Sequence, residues 1–133
     1  MKTFLHVGCG PKRKDQTTRG FISIDWHELR LDIDKSVQPD IIGTMTDMSA
    51  VADASVDAIF SSHNIEHLYP HEVPLALAEF KRVLRPDGFA VITCPDLLNL
   101  NWLVRTISRF EWKSWSLQPS TLTIACGTPL DQG

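Results

Sequence analysis

Phe4-Leu5-His6-Val7-Gly8-Cys9-Gly10 is the stretch on which the fold turns. An apolar run stops at two glycines one residue apart, the pattern of a buried β-strand ending in a tight loop that lets a ligand approach the backbone. The loop falls within the first ten residues. A ligand loop at the C-terminal edge of a first strand is the arrangement of a doubly wound α/β domain.

Working outward, further short apolar runs bounded by Gly, Pro, Asp or Ser predict strands at Leu29–Ile33, Asp40–Ile42, Val56–Ser61 and Phe89–Thr93, beside a first strand at Thr3–Val7. Between the last two, Val73, Leu77, Phe80 and Leu84 recur at helical spacing, so His71–Leu84 reads as a helix with Pro74 in its first turn. Arg85-Pro86-Asp87-Gly88 then turns the chain, completing a right-handed βαβ unit. Pro11–Gly20 is polar and carries no helical stripe, which predicts that the first helix is shortened or replaced by a loop. Asn101–Trp112 reads as a further helix with Leu103, Ile107 and Phe110 on one side.

Composition narrows the function class. The 133 residues suffice for one domain, and 43% hydrophobic with 22% charged is an ordinary globular balance. A net charge of −3 argues against a nucleic-acid binder that relies on a general basic surface, although Lys12, Arg13, Lys14 and Arg19 cluster locally. Cys9, Cys94 and Cys126 give an odd count without CxxC spacing, so neither a disulfide framework nor a zinc site is predicted. With no membrane-length apolar run and no signal-peptide pattern, the expected location is the cytoplasm.

Four blocks in register resemble the class I S-adenosylmethionine-dependent methyltransferases, in a small, type-11-like form. They are Leu5–Gly10, Arg30–Asp34, Val56–Leu68 and Phe80–Gly88, and the Arg-Val-Leu-Arg-Pro-Asp-Gly turn is the most characteristic. The resemblance implies a Rossmann-like, mostly parallel sheet of order 3-2-1-4-5, S-adenosyl-L-methionine as cofactor, and methyl transfer to an unidentified acceptor. It implies cofactor contacts at Gly8, Cys9 and Gly10, ribose at Asp32, adenine at Asp47 and Met48, and the methyl-bearing end near Ser62 and His63. His63 and Asn64 are the implied catalytic residues. Asp32 lies 22 residues beyond Gly10, near the spacing of a ribose-binding acid. Asp25 and Asp34 are its rivals.

Other readings stand beside these. His63, Glu66 and His67 could be read as metal ligands, but two imidazoles and one carboxylate make a poor set and no metal is expected; His67 reads as a packing residue at a helix start. A NAD-type oxidoreductase fragment is an alternative, weakened by Arg13 where a third glycine would stand. A non-catalytic cofactor-binding remnant is another. His6 occupies a position where many members of the family carry an acid that helps hold the cofactor's ammonium group.

The tail departs from the resemblance. Residues 1–98 read as the core, and 99–133 as a divergent or truncated segment of the same domain in which the usual C-terminal hairpin is missing or replaced. Only Leu122–Cys126 alternates like a strand. An uncapped Phe89–Thr93 would be an open sheet edge, so a homodimer or larger oligomer is expected.

Overall fold

The computed structural model describes residues 1–93, 105–109, 112, 114–118 and 121–125. They build a seven-stranded sheet of order β3-β2-β1-β4-β5-β7-β6. The strands are β1 (Lys2–Val7), β2 (Trp26–Asp32), β3 (Ile41–Ile42), β4 (Val56–Ser62), β5 (Leu84–Thr93), β6 (Ser114–Gln118) and β7 (Thr121–Ala125). The first five run parallel in the order 3-2-1-4-5 expected from the sequence.

Alternation along β1 sorts the two faces of the sheet. Leu5 and Val7 pack into one apolar cluster with Leu31, Ile59 and the buried side of helix α2 (Val73–Val83), chiefly Leu77 and Phe80. Phe4 points to the opposite face and joins Phe21, Ala58 and Phe60. Phe21 sits on α1 (Arg19–Ile22), a single turn capped by the Thr18 hydroxyl, which accepts from Gly20 N–H at 3.1 Å. Its ring stacks on Phe4 at 4.4 Å between centroids and meets Trp26 edge-on at 4.9 Å. Large aromatic rings thus cover the face that a full-length first helix would otherwise cover, and the polar run Pro11–Gly20 is indeed mostly loop.

Three expectations need correction. β2 starts at Trp26 rather than Leu29, because Glu28 and Arg30 are carried inside by polar partners that periodicity does not register. β5 begins at Leu84, and the Arg85–Gly88 turn becomes an irregularity within it: Val56 pairs with Leu84, and the regular ladder resumes at Ala58 with Phe89. The hairpin thought missing is present. β7 pairs antiparallel with β5 from Phe89↔Ala125 to Thr93↔Thr121, and β6 pairs antiparallel with β7. The β5 edge is therefore closed within the chain, which removes the open edge on which the expected oligomer was argued, and Leu122 and Ile124 bury into the α2-side cluster. Of the expected helix Asn101–Trp112, residues 105–108 are helical with Ile107 buried; Leu103 and Phe110 lie outside the described residues. No helix among the described residues is long and apolar enough to cross a membrane.

Candidate functional site

The C-terminal ends of β1, β2 and β4 meet at one edge of the sheet, and a cleft of about 240 Å³ opens there. Gly8, Asp32 and Asn64 contribute its polar rim. Leu31, Ile33, Met45 and Leu68 contribute apolar wall, and Gly43, Thr44 and His67 complete the lining. This is the crevice beyond the strand ends where doubly wound sheets bind ligands.

The two glycines serve different ends. Gly8 has φ +63°, and a Cβ there would lie 2.6 Å from the Asn64 amide carbon, so the glycine makes room for Asn64. That amide nitrogen donates to Ser62 O at 2.8 Å and to Val7 O at 3.1 Å, tying the ends of β4 and β1 together across the loop. Gly10 has φ +55°, and nothing lies within 4 Å of where its Cβ would project. Its Cα therefore faces open space on that side, the geometry that lets a ligand lie against the chain.

Asp32 ends β2 at the cleft. Its Oδ2 accepts from Gly10 N–H at 2.8 Å and its Oδ1 from Asp34 N–H at 2.9 Å, which fixes the carboxylate while leaving each oxygen a further lone pair. The rivals are placed elsewhere. Asp25 precedes β2 at the opposite end of the strand, where its carbonyl accepts from Lys2 N–H. The Asp34 carboxylate accepts from the Ser36 N–H and hydroxyl, and those bonds hold its pKa below the usual value.

The remaining sequence-predicted residues divide. The Cys9 side chain is buried, and burial pushes its thiol pKa up, so only its backbone can face a ligand. Met48 is also buried, in the α2-side cluster, with its N–H donating to Glu79 Oε2 and its carbonyl accepting from Arg82 Nη2. The methionine on the cleft wall is Met45, whose sulfur accepts from the Ser61 hydroxyl at 3.7 Å. Asp47 is exposed, and its Oδ1 accepts from Ser49 N–H in a local turn. Neither Asp47 nor Met48 lines the cleft; Thr44 and Met45, three residues earlier, do.

At the end of β4, Ser62 Oγ accepts from the Thr93 hydroxyl at 2.8 Å, and the exposed His63 takes φ +57° while its N–H donates to Thr93 O at 2.7 Å. A non-glycine residue in the left-handed region costs on the order of 1 kcal/mol and is held there by these neighbouring bonds. His67, read from sequence as a packing residue, is instead exposed and lines the cleft. His6 does not reach the cleft. It is 2% exposed, donates from Nδ1 to Glu28 Oε2 at 2.8 Å, and lies edge-on to Phe60. Among the described residues, no group of three or more His, Cys, Asp or Glu is placed to hold a metal ion.

Comparison with known proteins agrees with this fold. The sequence matches the family described as a methyltransferase domain over residues 5–92. No curated protein matches it in sequence. Among solved structures, it resembles a Methanococcus maripaludis protein described as an S-adenosyl-L-methionine-dependent methyltransferase, with a TM-score of 0.72 at 16% identity over 98% of this chain and 80% of that one. A SAM-dependent methyltransferase from Archaeoglobus fulgidus gives 0.68 at 14% identity, over 86% of this chain and 62% of that one. A Burkholderia thailandensis 1,6-didemethyltoxoflavin-N1-methyltransferase, solved with bound 1,6-didemethyltoxoflavin and S-adenosylhomocysteine, gives 0.68 at 14% identity, over 96% of this chain and 72% of that one. At such identities the likeness is one of fold.

Proposed function

The chain belongs to the methyltransferase-domain family, and from that premise we propose that its cleft binds S-adenosyl-L-methionine and presents the methyl group for transfer to an acceptor. The observation that carries the reading is the pairing of Asp32 with Gly10. A carboxylate with lone pairs to spare stands across from a backbone with open space before it, at the ends of β2 and β1. Those are the two features a nucleoside needs, an acceptor for its ribose hydroxyls and a clear path along the chain.

The residues present fit such a group. Asp32 would accept from the ribose diol, and Met45, Leu68 and Ile33, beside Gly43 and Thr44, would hold the base. A volume of about 240 Å³ sits a little below the roughly 300–1,000 Å³ of typical ligand sites. The cleft thus has room for the nucleoside part, and the loop at Gly10 would hold the amino-acid part. When bound, the cofactor supplies a sulfonium whose methyl group is already activated, so catalysis is chiefly alignment of the acceptor. Asn64 acts by holding the glycine loop to the end of β4, since its amide N–H groups donate to main-chain carbonyls. Among the described residues, His63 and His67 are exposed imidazoles at this edge, and an imidazole nitrogen can accept a proton from a methyl acceptor. His6, sealed in the sheet with Glu28, takes no part in holding the ammonium group.

Thermal denaturation with added ligand tests this reading. S-adenosylhomocysteine raises the melting temperature and NAD does not, because a ligand specific to the native state stabilises it by mass action. A shift with NAD alone would overturn the proposal.

A further inference from the structure

Arg30 is 2% exposed, among the most buried side chains described, although no sequence pattern demanded an interior cation there. Its guanidinium reaches four main-chain carbonyls. Nε donates to Lys12 O at 3.2 Å and Nη2 to Gly10 O at 2.5 Å, both on the loop after β1. Nη1 donates to Gln38 O at 2.9 Å and Val37 O at 3.2 Å, on the connection between β2 and β3. The residue's own N–H donates to Asp40 Oδ2 at 2.8 Å, which pins the strand from which the side chain projects. One planar fork thus bridges two loops that flank the cleft.

We propose that Arg30 is a positioning residue for the cofactor: by gripping the carbonyls of Gly10 and Lys12, it sets the peptide planes of the glycine loop so that Gly10 N–H meets Asp32 and the backbone beyond it stays clear. The inference rests on the cofactor reading above and names a residue outside the expected contact set. Gly10 is gripped from both sides, its carbonyl by Arg30 and its N–H by Asp32. Two residues apart on β2, the cation and the carboxylate define the position of a loop that has φ +55° at Gly10 and would otherwise sample many conformers. Lysine cannot substitute, because its donors radiate from one atom whereas these carbonyls lie on two loops and are met by three different nitrogens. The buried charge is met by carbonyl dipoles, and among the described residues no carboxylate forms an ion pair with it.

The test compares Arg30→Lys with Val83→Ala, a cavity substitution on α2 that touches neither loop. Calorimetric titration with S-adenosylhomocysteine and hydrogen exchange of the segment 8–14 are read on both variants and on the unaltered protein. Losing bonds from a charged donor to the loop weakens binding of S-adenosylhomocysteine at least about tenfold in Arg30→Lys and speeds exchange of that segment. Val83→Ala lowers the melting temperature yet keeps the dissociation constant within about twofold, because distant sites act independently. Unchanged affinity or unchanged loop exchange in Arg30→Lys overturns the proposal, as does an equal loss of affinity in Val83→Ala, which would mark a merely structural role. If the unaltered protein fails to bind S-adenosylhomocysteine, the cofactor reading fails, while the exchange measurement still decides whether Arg30 grips the loop. Should Arg30→Lys not fold, nuclear magnetic resonance of the unaltered protein decides. Slow exchange of the Arg30 Nε proton with hindered guanidinium rotation supports the grip, and free rotation with fast exchange refutes it.

Discussion

Replacing Gly8 with alanine costs far more than replacing Gly10, although both glycines have positive φ. At either position an L-residue in the left-handed region loses about 1–2 kcal/mol, partly offset by about 0.5 kcal/mol from the stiffer unfolded chain. At Gly10 the cost ends there, since a Cβ meets nothing within 4 Å. At Gly8 the Cβ would fall 2.6 Å from the Asn64 amide carbon and oxygen and 2.7 Å from its nitrogen, so the Asn64 side chain must move. Moving it breaks the bonds to Ser62 O and Val7 O, each contributing about 1 kcal/mol. The totals are about 3 kcal/mol for Gly8→Ala and about 1 kcal/mol for Gly10→Ala. For a domain of this length those translate into melting-temperature losses of roughly 10 °C and roughly 4 °C. Calorimetric melting of both variants reads the difference. Equal losses would show that Asn64 moves aside freely and that its clasp on β1 and β4 is dispensable.

Asp32→Ala weakens S-adenosylhomocysteine binding by about 1.5–3 kcal/mol through loss of a charged acceptor, whereas Asp25→Ala, at the far end of β2, leaves the titration unchanged; the reverse ranking would move the ribose site. Met45→Ala weakens binding measurably, while Met48→Ala lowers the melting temperature by emptying a core position worth about 2–5 kcal/mol and leaves affinity alone. His6 carries a pH signature. Burial, its largest influence, lowers its pKa below 6.5, with the Glu28 bond opposing. The unfolded chain therefore binds the proton first, so this contribution is intact above about pH 6.5 and declines as pH falls through the folded value, at no more than about 1.4 kcal/mol per pH unit. Urea midpoints between pH 7.5 and 5.5 should show the decline, and His6→Gln should flatten it.

What could be read from the chain follows the range of the interactions involved. The glycine loop, the parallel order and the acid at the end of β2 were legible because each is a local pattern: an apolar run, a punctuating turn, a fixed spacing. The start of β2 was not. Trp26-His27-Glu28 looks like loop until His6 and the carbonyls of two loops supply partners for Glu28 and Arg30 from elsewhere in the sequence. The burial of Met48, expected from the resemblance at the adenine, was illegible for a related reason: the bonds that draw it inward come from Glu79 and Arg82, more than thirty residues away. In the tail, the strand expected at Leu122–Cys126 is present as Thr121–Ala125, but its partner Ser114–Gln118 carries no strand pattern of its own. A serine-rich strand is marked chiefly by what it pairs with.

The central claim, that this cleft takes the nucleoside of an S-adenosyl cofactor, is tested most directly by titrating the isotopically labelled protein with S-adenosylhomocysteine and following backbone amide resonances. The account predicts saturable shifts concentrated at Gly10, Asp32, Ile33, Thr44, Met45 and Leu68, with the β1 start and the exposed side of α2 silent. No shifts at saturating ligand, or shifts centred away from the C-terminal ends of β1 and β2, would contradict it.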